Sequence, residues 1–106
     1  MKASVMQIIA MASLATAWRV EPYTSGCTGD ANGGTTAGSS TDEIWCHSVG
    51  SAHNLNLVGI EADNMVVTVF NAYCNVPGAA IATLETDGCH VIPSTDVISY
   101  LRVLPK

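Results

Sequence analysis

The sequence predicts an all-β domain, a small disulfide-stapled antiparallel sandwich or Greek-key barrel of about seven short strands. Three observations carry this. Short runs rich in β-branched and aromatic residues alternate apolar with polar positions, the period of a half-buried pleated surface. Turn-forming pairs such as Pro77-Gly78 and Asp87-Gly88 separate the runs. Beyond residue 17, no segment carries the 3.6-residue apolar period of an amphipathic helix.

The first seventeen residues, MKASVMQIIAMASLATA, have the order of a cleavable export signal. Lys2 supplies the positive start, Val5 to Leu14 the apolar middle, and Ala15-Thr16-Ala17 the small-x-small cleavage site. The apolar run covers ten residues, and a bilayer crossing needs roughly 20. A core helix would need a polar face, and only Gln7 and Ser13 interrupt the run. The expected organisation is therefore 1–17 as secretory signal peptide and 18–106 as a single mature β domain, secreted and extracellular. No second apolar run follows, so no membrane span is expected.

In the mature part, WRVEPY places Trp18 and Val20 on one face and Arg19 and Glu21 on the other, a short strand limited by Pro22. Thr24 to Glu43 holds Gly, Ser, Thr, Asp and Asn with no large apolar residue, and reads as loop throughout. Ile44 to Val49 and Leu55 to Ile60 read as strands, followed by a hairpin turn at Glu61–Asn64. Met65 to Cys74 is the strongest strand. Met65, Val67, Val69, Asn71 and Tyr73 share one face; Val66, Thr68, Phe70 and Ala72 share the other. Ala79 to Leu84 fits a strand or a helical turn. His90 to Ile92 is extended, and Ile98 to Leu104 closes the domain with Leu101 and Val103 opposite Tyr100 and Arg102.

Cys27, Cys46, Cys74 and Cys89 are an even set in a short exported chain and read as two disulfides. No pair has the tight spacing of a structural zinc site. Three connectivities exist. Cys27–Cys46 with Cys74–Cys89 is favoured because each bridge closes a local loop around turn-forming sequence. Similar spacing within the two pairs, each preceded by a tyrosine (Tyr23, Tyr73), hints at two related halves.

Composition excludes several classes. With 48% apolar and 12% charged residues, the chain is not of the disordered type. Nine acids against four bases give a net charge of −5. Nucleic-acid binding, which rests on Lys/Arg contacts to phosphate, is not expected, nor is adsorption to an anionic membrane.

The leader, the WRVEPYTSGC entry, the two spaced cysteine pairs and the hydrophobic final strand together resemble small secreted cysteine-containing proteins of filamentous fungi, effector-like in format. Two segments also resemble βγ-crystallin-like Greek-key domains, a fold shared with some microbial killer toxins. One is Trp18…Tyr23…Gly26; the other is Asp96-Val97-Ile98-Ser99-Tyr100-Leu101-Arg102-Val103. The calcium-loop pattern of that group is not met, because Thr95 precedes Asp96 and Tyr100 follows Ser99. The resemblance thus implies a fold without implying a cation, and no cofactor or metal is expected.

Candidate chemistry is sparse. His47 and His90 each follow a cysteine, and His53 stands alone; a metal pair or a pH sensor is possible by type. The favoured reading makes them outward residues of strands whose inner face holds the cystines. Asp42-Glu43 could hold a cation, and Glu61 with Asp63 could form a carboxylate pair for glycoside hydrolysis. Asp30, Asp42, Glu43, Glu61, Asp63 and Asp87 read instead as solvated loop charge. No Gly-x-Ser-x-Gly elbow is present, and oxidised cysteines leave no thiolate. The glycines match neither phosphate-cradling pattern. Trp18, Trp45 and Tyr100 could line a sugar-binding face, but burial is favoured, with Trp45 packed on a cystine. No enzyme activity and no catalytic residue are expected.

These readings converge on a secreted non-enzymatic interaction protein. By resemblance it would be effector-like or killer-toxin-like, acting on a host or competitor through an extracellular protein or glycan partner. The loop Thr24–Glu43 is the first candidate surface. The alternative is a cell-wall carbohydrate- or cation-binding module.

Overall fold

A computed structural model describes residues 18–29, 36–39, 42–92 and 97–106. The expected signal at 1–17, Asp30, and the Thr95-Asp96 start of the closing motif lie outside them. Among the described residues there are eight strands and no helix: β1 Trp18–Tyr23, β2 Thr36–Gly38, β3 Ile44–Ala52, β4 Asn54–Val58, β5 Met65–Phe70, β6 Ala80–Leu84, β7 Gly88–Val91 and β8 Ile98–Pro105. They form two four-stranded antiparallel sheets, ordered β2-β1-β4-β7 and β3-β8-β5-β6. The fold is all-β as expected. Neither sheet closes on itself, so the sandwich is the form adopted.

Inward positions of both sheets meet in one core. Trp18, Val20, Leu55 and Leu57 come from the first sheet; Val49, Met65, Val67, Val69, Ile98, Leu101 and Val103 come from the second. The alternation read from β1, β5 and β8 places Trp18, Val20, Met65, Val67, Val69, Leu101 and Val103 inward, Ile98 is buried out of that period, and each large core residue stabilises the fold by about 1.5–3 kcal/mol on burial. Ile60 and Ile92 close the core between the strands.

The extra strand, β2, lies inside the segment expected to be loop. Its three residues, Thr-Ala-Gly, have no apolar period to read, yet they pair with Trp18–Val20 of β1. Gly38 sits opposite Trp18, where a Cβ would lie 2.7 Å from the indole Cζ2. The indole Nε1 donates to the Ser39 carbonyl at 2.8 Å, satisfying the one polar atom of the buried ring.

Among the described residues, only β1–β2 and β5–β6 are sequence neighbours that also pair within a sheet. The turn at Glu61–Asn64 is therefore not the hairpin expected. It carries the chain from β4 in one sheet to β5 in the other. Met65 N donates to Ile60 O and Asn64 N to Glu61 O, with Asn64 at φ 55°. That is the hydrogen-bond pattern of a Schellman helix end, with asparagine tolerating the left-handed position. The passage from β3 to β4 is shorter still. A single residue, His53, separates the strands, and its backbone bonds to Tyr23 O and from Ile92 N. A register shift between Ser48 and Ala52 bends β3 toward the other layer.

Both disulfides form, but the expected local pairing is wrong. The bridges are Cys27–Cys89 and Cys46–Cys74, with Cα separations of 5.9 and 5.8 Å. Cys27 follows β1 and Cys89 lies in β7, both in the first sheet; Cys46 lies in β3 and Cys74 follows β5, both in the second. Cysteines close in sequence sit in different layers because the chain crosses between sheets. Each bridge instead links strands on either side of one middle strand, β4 or β8. Neither cystine belongs to the main core. Cys46–Cys74 packs in a satellite cluster with Phe70 and Ala79, and Cys89 is exposed.

Candidate functional site

The outer face of the second sheet is unusually aromatic. Cross-strand pairing sets its rows: Val66 beside Leu104, Thr68 beside Arg102, Phe70 beside Tyr100, with Thr83 flanking Thr68 and Ser48 flanking Tyr100. These side chains point away from the core because their neighbours in sequence point into it. An outer face of a sandwich is ordinarily polar.

β5 stops at Phe70, four residues short of the expected end at Cys74. The chain then folds back over Phe70. Asn71 N donates to Ala79 O, Val76 N to Tyr73 O, and Ala79 N to Val76 O. Pro77 and Gly78 are the central residues of that last turn, with Gly78 at φ 79°, the type II arrangement that requires positive φ at the third position. Cys74 N donates to Cys46 Sγ at 3.2 Å, so the disulfide holds the fold-back against β3.

On this base Trp45 is 60% exposed, Tyr73 48% and Val76 44%. The expected burial of Trp45 is not found. The Arg102 guanidinium lies 3.8 Å from the centre of the Trp45 ring and 5.0 Å from that of Phe70. Arg102 Nε donates to Trp45 O at 3.2 Å, and its terminal nitrogen donates to Cys74 O at 3.5 Å. Arg102 therefore rivets β3, β8 and the fold-back together and fixes the indole from one side. Stacking of this kind is worth about 1 kcal/mol. Tyr73 meets Tyr100 edge to face at 5.3 Å. Among the described residues no carboxylate forms a salt bridge with Arg102; the two ion pairs are Arg19–Glu21 and Lys106–Glu85.

The other residues considered from sequence are dispersed. Trp18 is buried, Tyr100 half-buried, and Trp45 exposed, so they do not act as one group. His47 is exposed on β3 of the second sheet and His90 lies on β7 of the first, so the structure does not pair them. His90 Nε2 donates to the Thr86 carbonyl at 2.7 Å. His53 occupies the bend between β3 and β4. Because both cystines lie outside the main core, the expectation that they occupy the inner face is corrected. Among the described residues no group of three His, Cys, Asp or Glu side chains converges.

Asp42, Glu43, Glu61 and Asp87 are exposed, as read from sequence, and three of them also hold turns. Asp42 Oδ2 accepts from Ser39 N at 2.8 Å. Asp87 Oδ1 accepts from Ile60 N, while Asp87 N donates to Glu61 Oε2, locking the β4–β5 turn to the β6–β7 loop. Asp63, read as solvated, is only 8% exposed, and its Oδ2 has no hydrogen-bond partner. Burial raises its carboxyl above the ordinary range. Glu21 goes the other way: hydrogen bonds from Asn56 and Arg19 lower it. Glu61 lines a cleft of about 370 Å³ with Glu85, Lys106 and Thr86, over Ile60 and Met65. Asp63 is not among the residues of that cleft, so the two carboxylates do not form a glycosidase-like pair there.

Of the loop Thr24–Glu43, residues 30–35 and 40–41 lie outside the described set. Sequence reading passed over Tyr73 and Arg102. The available signal was a lone arginine, the one charged residue of the closing strand, at an outward position.

The chain matches no protein-family model, and neither the curated proteins nor the solved structures give a match.

Proposed function

We propose that the chain is a secreted, non-enzymatic interaction protein, effector-like or killer-toxin-like in kind, whose binding surface is the outer face of the second sheet. One observation carries this reading: Trp45 stands 60% exposed while Arg102, bonded to the disulfide-held fold-back, stacks on its ring. An isolated exposed side chain is ordinary, but a rigid Trp beside Tyr and Arg has the composition of binding hot spots. Rigidity lowers the entropy lost on association. The expected first surface, Thr24–Glu43, gives way to this face as the leading candidate. Two disulfides in so small a domain are compatible with an oxidising extracellular location, and the leader-like residues 1–17 support export.

The test has two parts. Protein recovered from the medium should begin at Trp18, and it should bind intact target-cell surfaces. Trp45→Ala and Tyr73→Ala should lose that binding, while Val91→Ala, exposed on β7 of the other sheet, should keep it. Equal surface binding by all three variants, or turnover of a polymer substrate by the purified protein, would sink the reading.

A further inference from the structure

We infer that the ligand of this face is a neutral polysaccharide, presented as a flat chain of hexose units. The inference rests on the proposed binding role of the face and goes beyond it to the chemistry of the ligand.

Charge is the first argument. Arg102, the cation on this face, gives two of its N–H donors to the Trp45 and Cys74 carbonyls and one side of its guanidinium to Trp45. No carboxylate stands among Val66, Thr68, Thr83, Tyr100 and Leu104. The face therefore carries one guanidinium, covered on one side by the indole, and no cluster of acids for a basic ligand. Around it the chain carries nine acids against four bases, which repels polyanions at long range.

Chemical type is the second. The exposed groups are aromatic faces and hydroxyls: Trp45 and Tyr73, with Tyr100, Thr68, Thr83 and Ser48 beside them. A pyranose ring has apolar C–H faces that stack on the negative face of an aromatic ring, and equatorial hydroxyls that bond to hydroxyl neighbours.

Size is the third. Exposures of 60%, 48% and 44% for Trp45, Tyr73 and Val76 leave on the order of 300 Å² of side-chain surface, taking roughly 200 Å² for a large side chain. A stable protein interface takes about 800 Å² from each partner. The patch suits a few sugar rings better than a folded protein.

The experiment is depletion of the secreted, oxidised protein by insoluble β-1,3-glucan, chitin and cellulose, with a polygalacturonate gel as the anionic comparison. Retention on at least one neutral polymer is expected, unchanged at about 1 M NaCl, where charge attraction is screened beyond about 3 Å. Trp45→Ala and Tyr73→Ala should each weaken retention about tenfold, with circular dichroism and intact bridges showing that the fold survives. Retention of both variants at the wild-type level overturns the inference. So does retention on polygalacturonate alone that salt abolishes, and so does failure on every neutral polymer. In that last case, cell-surface binding that still depends on Trp45 leaves the interaction role standing; cell-surface binding indifferent to Trp45 removes both.

Discussion

Replacing Cys27 and Cys89 together by serine tests the nested bridging directly. The Cys27–Cys89 bridge spans 62 residues of sequence and encloses Cys46–Cys74, which spans 28. In the chain-entropy account, closing the outer loop alone stabilises by about 4.3 kcal/mol and the inner loop alone by about 3.6 kcal/mol. With the inner bridge present, the shortest circuit through the outer one contracts to roughly 34 residues, so its contribution falls to about 3.8 kcal/mol. Because Cys89 is exposed and outside the core, little packing is lost with it, and the entropic figure stands nearly alone. A domain of this size has a urea dependence of about 1 kcal/mol/M, so the unfolding midpoint should drop by about 3–4 M. Equilibrium urea denaturation followed by tryptophan fluorescence measures this. The single variant Cys27→Ser should leave one alkylatable thiol, at Cys89. A midpoint shift under about 1 M would refute the entropic reasoning. A free thiol at Cys46 would refute the pairing itself.

Gly38→Ala should cost about 1–3 kcal/mol by forcing a methyl against the Trp18 ring, read by the same denaturation. Asp63→Asn should stabilise the protein at neutral pH. Burial raises the folded carboxyl, so wild-type stability falls as pH rises through the ordinary carboxylate range toward the raised value, and the gain should vanish below that range. Glu21→Gln should behave oppositely. The lowered folded carboxyl contributes stability above the ordinary range that is lost as pH falls through the lowered value, so the variant should be weaker at neutral pH and equal in strong acid. Under mild reductant, alkylation mapping should find Cys27 and Cys89 modified before Cys46 and Cys74, because Cys89 is exposed whereas Cys74 is 7% exposed.

The strand composition was legible because alternation is local. Trp18, Val20, Leu55, Leu57, Leu101 and Val103 face the core as their spacing requires. Strand pairing was not legible, because it depends on where turns send the chain. Glu61–Asn64 has the composition of a hairpin turn but the hydrogen bonds of a crossover. The disulfide error follows from the same cause: sequence proximity ranks bridges correctly only when neighbouring strands share a sheet. Asp63 shows a further limit. Nothing in the letters of a turn distinguishes an acid tucked under it from one in water. Trp45 was misplaced for a related reason: burial is the common fate of tryptophan, and the group that stacks on its ring here, Arg102, lies 57 positions away.

A single residue between β3 and β4 has mechanical meaning. One continuous stretch of backbone, Ile44 to Val58 through His53, serves as an edge ribbon of one layer and then as an interior ribbon of the other. The layers are therefore welded along a covalent seam at that corner, and they cannot shear past each other there as two separately looped sheets can. A pull on Trp45 is carried along that backbone, through His53, into the opposite layer.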